Sequence, residues 1–327
     1  MIRIKRGLDL PINGAPEQAI HDARPVRAVA VLGHDYVGMK PTMEVKEGDK
    51  VKLGQTVFTD KKTPGVIYTA PGSGVVKAIN RGERRVFQSL VIELDDSDAD
   101  AVNFASYADA DIASLSREKV VENLVQSGLW TALRTRPFSK VPDPQSKPSS
   151  IFINLMDSNP LALDPELVAR EYSQDFVRGV NVLARLTEGK IFLCRRDGAF
   201  AGLANEAFAD NVVIEAFSGP HPSGLSGTHI HFLDPVSLNK WVWTMAFQDV
   251  IATGKLFATG TLWTERFVAL AGPQVKKPRL LRTRLGANLT EICADELQEA
   301  ENRVISGSVL SGRKAAAPED FLGRYHQ

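Results

Sequence analysis

Val45-Lys46-Glu47-Gly48-Asp49-Lys50-Val51-Lys52-Leu53-Gly54-Gln55-Thr56-Val57-Phe58 alternates apolar and polar side chains and is punctuated by Gly48 and Gly54. A period of two turns one face of a strand to a core and the other to water. Val66-Ile67-Tyr68-Thr69-Ala70-Pro71-Gly72-Ser73-Gly74-Val75-Val76-Lys77-Ala78-Ile79 continues the pattern around a Pro-Gly turn. The N-terminal part of the chain is therefore expected to be short β-strands joined by tight turns.

Working outward, the periodicity changes near Ser114. Ser116 is placed to cap a helix whose apolar stripe is Val120, Val121, Leu124 and Val125, and Gly128 sits where it should stop. Pro137, Pro142, Pro144 and Pro148 then mark a loop. Residues 151–217 read as a βαβαβ unit. Its strands are Ile151–Leu155, Ile191–Cys194 and Val212–Phe217, and a helix starts at Asp164-Pro165-Glu166. Such alternation implies parallel strands with helices on their faces. Ligands of such sheets bind at the carboxyl ends of strands, here 156–160 and 195–198. Beyond 255, strands are expected at 260–264, 267–272 and 279–283, with a helix opening at Leu285. Domain boundaries are placed at 1–110, 111–256 and 257–327.

With 327 residues, 43% hydrophobic and 24% charged, the chain has the composition of an ordinary globular protein. Its 39 Lys and Arg balance 39 Asp and Glu, so no global field recruits nucleic acid. The two cysteines, Cys194 and Cys293, cannot supply a four-cysteine cluster and point to a reducing cytoplasm. No window approaches the roughly 18 apolar residues of a membrane span, and the N-terminus lacks the apolar stretch of a signal peptide.

The sequence Gly48-Asp49-x-Val51-x-x-Gly54, followed by Ala70-Pro71-x-x-Gly74-x-Val76, resembles the biotinyl/lipoyl barrel-sandwich domain. Asp60-Lys61-Lys62 departs from that family's carrier-lysine setting, so a solvated basic hairpin is expected there. The strands and helix after 257 resemble the soluble-ligand-binding β-grasp module. The whole chain resembles the A subunit of the sodium-translocating NADH:quinone reductase of bacterial inner membranes. The residues that carry this are Ile4–Ile12, Val31–Pro41, Leu129–Phe138, Gly219–Leu225 and Gly227–His231. The fold class implied is multidomain α/β: a barrel-sandwich domain, a Rossmann-like domain with parallel strands, then a β-grasp module. Family members are longer, so a further C-terminal segment is expected.

The resemblance implies a peripheral subunit on the cytoplasmic face of the inner membrane. Its expected partners are the other subunits of the complex, chiefly a membrane subunit, and its expected ligand is ubiquinone. More distant relatives are the C subunit of the Rnf complex and the flavin subunit of complex I. These carry a glycine-rich phosphate loop and a four-cysteine motif, whereas this chain reads Leu129-Trp130-Thr131-Ala132-Leu133-Arg134 with no glycine after Gly128. No tightly bound redox cofactor, no metal and no catalytic residue is expected. Two readings stand beside this one: an assembly subunit that never touches quinone, and a flavin- or NADH-binding dehydrogenase subunit.

A quinone needs an apolar slot and hydrogen-bond donors at its carbonyl oxygens. One candidate stretch is Leu32, His34, Asp35, Tyr36 and Met39, on a loop expected to face an apolar groove or a partner rather than the β-core. The other is Trp130, Arg134, Arg136, Phe138 and Lys140. Subunit contact uses the same residue types, so both uses stay open. His221, His229 and His231 raise a metal reading, with His229 and His231 on one face if the segment is a strand. No acidic or thiolate partner accompanies them, and a structural loop is expected. Asp157 is expected to cap the turn before Pro160.

Overall fold

A computed structural model describes residues 1–327, apart from the side chains of Leu203 and Ala204. The chain forms two compact units. One, called here the α/β unit, takes Met1–Asp9, Asn103–Asn159 and Asp164–Trp263. The β unit takes Leu10–Val102, Pro160–Leu163 and Thr264–Gln327. Chain segments distant in sequence complete both units.

The short strand β1 (Ile2–Arg3) belongs to the α/β unit, and β2 (Glu17–Asp22) to the β unit. Then β3 (Ala28–Leu32), β4 (Pro41–Met43), β5 (Lys50–Val51), β6 (Thr56–Asp60), β7 (Ile67–Thr69), β8 (Gly74–Arg81) and β9 (Phe87–Leu94) build the barrel-sandwich. Its two sheets run β3-β9-β8-β5 and β4-β6-β7, all antiparallel. Val29, Leu32, Val57, Phe58, Tyr68, Leu90 and Ile92 are buried, which accounts for the period-two pattern.

In the α/β unit, α1 (Asp109–Ile112) precedes α2 (Arg117–Gln126). As expected, the Ser116 hydroxyl accepts from the Lys119 N–H, and Gly128 adopts φ +75°. After β10 (Arg134–Arg136) come β11 (Ile151–Leu155), α3 (Pro165–Glu171), α4 (Ser173–Ala184), β12 (Ile191–Arg196) and β13 (Val212–Ser218). Next are α5 (Ser226–Leu233), β14 (Val242–Ala246) and α6 (Phe247–Thr259). The six-stranded sheet runs β1-β13-β12-β11-β14-β10, parallel except for β10. Strand order reverses at β11 and β14, the position where such sheets open a crevice.

Helix α6 has no counterpart in the sequence reading. It is buried nearly all round, so it shows no polar stripe to announce it. It crosses α4 at glycines: a Cβ on Gly254 would lie 1.8 Å from the Asp175 carbonyl oxygen. No strand forms at 260–264, because Gly260 at φ +72° ends α6 instead. The last module pairs β15 (Glu265–Leu270) with β16 (Arg279–Arg284), and β16 runs parallel to β2. Helix α7 (Leu289–Ile292) follows, capped by the Asn288 side chain.

Candidate functional site

Strand β3 delivers the loop Gly33–Met39. Gly33 must be glycine, since a Cβ there would sit 2.1 Å from the Phe87 carbonyl oxygen. Residues 33–35 form a 3₁₀ turn, and the Met39 N–H donates to the Tyr36 carbonyl at 3.2 Å. The Tyr36 ring meets Tyr68 edge-on at 4.7 Å and Tyr325 at 6.2 Å, while Tyr68 stacks on Phe58. Leu32 and Tyr36 are thus part of the β-unit core, which corrects the expectation that the loop stays out of it. A phenol ring half apolar in character packs best among other rings, and the local glycines let it turn inward.

What this loop leaves outside is His34 and Val37, with Met39 half-buried. The His34 imidazole contacts the Glu319 carboxylate. Asp35 accepts from the Arg324 backbone N–H at 2.7 Å. Burial raises its pKa above the ordinary carboxylate value, against the lowering pull of that hydrogen bond and of Arg313, Arg324 and His34.

The second stretch lies in the α/β unit. Residues Leu129–Ala132 form a 3₁₀ helix whose members are all buried. Trp130 is fully enclosed: its Nε1–H donates to the Pro142 carbonyl at 2.8 Å and its ring meets Trp243 edge-on at 5.4 Å. It cannot offer a face to a ligand, which corrects its placing among the contact candidates. Strand β10 forms the outer edge of the sheet, with Thr135 opposite Trp243. The chain then turns back through Pro137, Phe138 at φ +80° and Ser139 at φ +54°. Positive φ costs a non-glycine residue about 1–2 kcal/mol. Bonds from Thr135 to Pro137, Ser139 and Lys140 hold the turn.

That turn leaves Phe138 57% exposed, edge-on to the exposed Trp241 at 6.0 Å, with Lys140 beside it in sequence and also exposed. Arg134 and Arg136 are half-buried. Arg136 contacts the Ser139 hydroxyl, and its buried Nε has no hydrogen-bond partner among the described residues. Burial first, and Arg134 second, push its pKa down to about 10. It therefore stays charged at neutral pH, with no ion pair to a carboxylate among the described residues. Sequence reasoning did not single out Trp241, whose exposure depends on its place beside the edge strand.

The carboxyl ends of the parallel strands are closed by the loop Gly219–Leu225. Asn154 donates to the Gly224 carbonyl at 2.7 Å, and the Gly224 N–H donates to Ser158 Oγ at 2.9 Å. A Cβ on Gly224 would lie 2.4 Å from the Ser158 nitrogen, so only glycine fits. Asp157 accepts from the Asn159 N–H at 2.8 Å, the turn cap expected of it. His229 and His231 sit on helix α5, not a strand, so their rings diverge. The His229 ring packs on Phe217 at 4.2 Å and its Nε2–H donates to the Ser223 carbonyl at 2.8 Å. Burial pushes its pKa down to about 4. His221 Nδ1 lies 3.0 Å from Ser158 Oγ.

Family models match the chain in three places. The NqrA N-terminal barrel-sandwich hybrid domain covers residues 2–95, the NqrA second alpha/beta domain 115–262 and the NQRA C-terminal domain 267–317. Together they define a three-module protein of a single family. The chain belongs to the NqrA family, the A subunits of the Na(+)-translocating NADH-quinone reductase. It is 62% identical to the family member from Pseudomonas aeruginosa over all of this chain and 72% of the relative. Identity is 59% to the one from Saccharophagus degradans, again over all of this chain and 72% of the relative. For Glaesserella parasuis it is 60%, over 99% of this chain and 72% of the relative. Among solved structures, a NAD+-reducing [NiFe]-hydrogenase in the H2-reduced state aligns with a TM-score of 0.44 and 12% identity, over 65% of this chain and 47% of that one. Among the described residues no helix is long and apolar enough to cross a membrane.

Proposed function

We propose that the chain is a peripheral, cytoplasmic-face subunit of a sodium-translocating NADH:quinone reductase that assists quinone binding and holds no redox cofactor of its own. The observation that carries the reading is Arg136. A half-buried charged guanidinium, without a carboxylate partner among the described residues, stands on the edge strand β10 opposite Val242. The exposed Phe138 is close to it in sequence, and the exposed Trp241 adjoins Val242. A quinone carbonyl offers an acceptor to such a donor and its ring offers a face to the aromatics. Within the β unit, His34, Val37 and Met39 are the groups of the Gly33–Met39 loop that a ligand could reach. Leu32, Tyr36 and Trp130 act as anchors that hold the two stretches in shape.

Two features support the absence of a bound nucleotide cofactor. Where relatives with flavin need bare backbone, Leu129–Ala132 is packed around Trp130. The sheet crevice is occupied by Gly219–Leu225. A photoreactive quinone applied to the intact complex tests the proposal. Label is expected on peptides containing 134–140 or 33–39, and label confined to other subunits would remove the quinone role.

A second reading, assembly alone, is favoured by the exposure of Phe138, Trp241 and Leu238, the last 83% exposed. Apolar side chains of this size standing in water are common at partner contacts. In that case Phe138→Ala lowers recovery of the chain with the complex and leaves quinone kinetics of assembled complex unchanged. A stoichiometric flavin absorption band from the purified chain would overturn both readings.

A further inference from the structure

A cleft of about 650 Å³ opens in the α/β unit between the N-terminal arm and helix α5, and neither reading above uses it. Its wall carries Arg3, Lys5, Arg6, Gly227, His231 and Phe232. The arm is fastened in place. The Ile4 N–H donates to the Ser218 carbonyl at 2.8 Å and the Leu8 N–H to the His221 carbonyl at 3.0 Å. Between them Gly7 approaches so closely that a Cβ would lie 2.0 Å from the His221 carbonyl oxygen. Arg3 pairs in register with Ser218, the last residue of β13, so the cleft sits at the carboxyl ends of two parallel strands.

Charge decides what it fits. Arg3, Lys5 and Arg6 are exposed and have no ion pair among the described residues. No carboxylate lines the cleft. Asp9, the acid of the arm, is engaged by the His221 N–H at 2.8 Å. Several other arginines of this chain are paired: Arg178 with Asp109, Arg284 with Asp98 and Arg279 with Glu296. In a chain of zero net charge, three cations left together on a shaped wall create a local positive field. The start of α5 adds its partial positive charge without being a site by itself. Phe232, 51% exposed, gives the same wall an apolar surface.

We infer that this cleft binds a phosphate-bearing ligand, its anionic group held by Arg3, Lys5 and Arg6 and its less polar part against Phe232. A soluble phosphate ester and the headgroup of an anionic phospholipid share this chemistry. The full chain is titrated calorimetrically with inorganic pyrophosphate, and separately sedimented with phosphatidylcholine vesicles with and without phosphatidylglycerol. Saturable binding is expected in at least one arm, about tenfold or more weaker in Lys5→Gln/Arg6→Gln, since charge-assisted hydrogen bonds are lost. The charge-matched Lys61→Gln/Lys62→Gln, exposed in the β unit, should bind like the parent. Binding of pyrophosphate alone assigns a soluble ester, and binding of phosphatidylglycerol vesicles alone assigns a lipid. If thermal unfolding shows the arm variant misfolded, Arg6→Gln alone carries the comparison. No saturable binding by the parent, or equal loss in the Lys61/Lys62 variant, overturns the assignment.

Discussion

The loop Gly33–Met39 and the stretch Leu129–Lys140 contain similar mixtures of aromatic, basic and apolar residues, and the fold treats them in opposite ways. In the first, the aromatic Tyr36 turns into the core and the basic His34, its side chain 58% exposed, faces water. In the second, Trp130 is enclosed, the arginines are half-buried and the aromatic Phe138 is the group left outside. Residue types set what a segment can contact. The element that delivers it decides which of those residues are available. Strand β3 feeds its loop back over a cluster of tyrosines, whereas β10 is an edge strand whose return turn leaves Phe138 exposed.

The sharpest way to break this comparison is to remove the two anchors. Trp130→Ala should destabilise the α/β unit by about 3–5 kcal/mol, the usual cost of deleting a large enclosed aromatic. Denaturant unfolding followed by circular dichroism measures it. A loss under about 1 kcal/mol would mean that Trp130 is not the anchor described. Tyr36→Phe is milder, because the ring stays against Tyr68 and Tyr325 and only the hydroxyl is lost. A loss of no more than about 1 kcal/mol is expected, the scale of one neutral polar contact. Quinone reduction by assembled complex should be unchanged if Tyr36 is only an anchor.

The acid in the first loop has no counterpart in the second. Because burial raises the Asp35 pKa, the folded state holds its proton to higher pH than the unfolded chain does. Stability from this group is therefore complete below the unfolded value of 3.8 and falls as pH rises through the raised folded value. Asp35→Asn keeps an oxygen for the Arg324 N–H and removes the titration. Thermal midpoints measured across the acid range should then show a smaller fall with rising pH than in the parent. An identical pH profile for parent and variant would show that Asp35 is solvated.

Much of the fold could be read from local chemistry. The strands of the barrel-sandwich follow their period of two, and the Ser116 cap and Gly128 stop bracket α2. What escaped reading depends on partners far away in sequence. Strand β1 means little until β13 accepts it, and β2 until β16 does. For that reason the pairing that sets the arm against the sheet was not read from the sequence. The histidines of α5 misled because that helix begins without a side-chain cap at Leu225. At the candidate site, the residue types were legible but their burial was not. Tyr36 and Trp130 look like ligand contacts for the same reason that they make good core residues: each has a large apolar face with one polar atom.

Phe138→Ala is expected to have the smallest effect on folding and is the most informative about use. The ring is more than half exposed, touches Trp241 at 6.0 Å and belongs to a backbone already held by bonds from Thr135. Removing it takes away little buried surface, so stability should change by no more than about 0.5 kcal/mol. Positive φ at this position also disfavours alanine no more than phenylalanine, since both carry a Cβ. Any larger consequence must then come from outside the chain. If the edge of the sheet meets a quinone, the variant assembles normally and its apparent affinity for quinone falls. If the edge meets a partner subunit, the variant is recovered with less of the complex, while assembled complex turns over as before. An unfolding midpoint displaced by several degrees in the isolated chain would place Phe138 among the anchors with Trp130, and the contrast between the two stretches would fail.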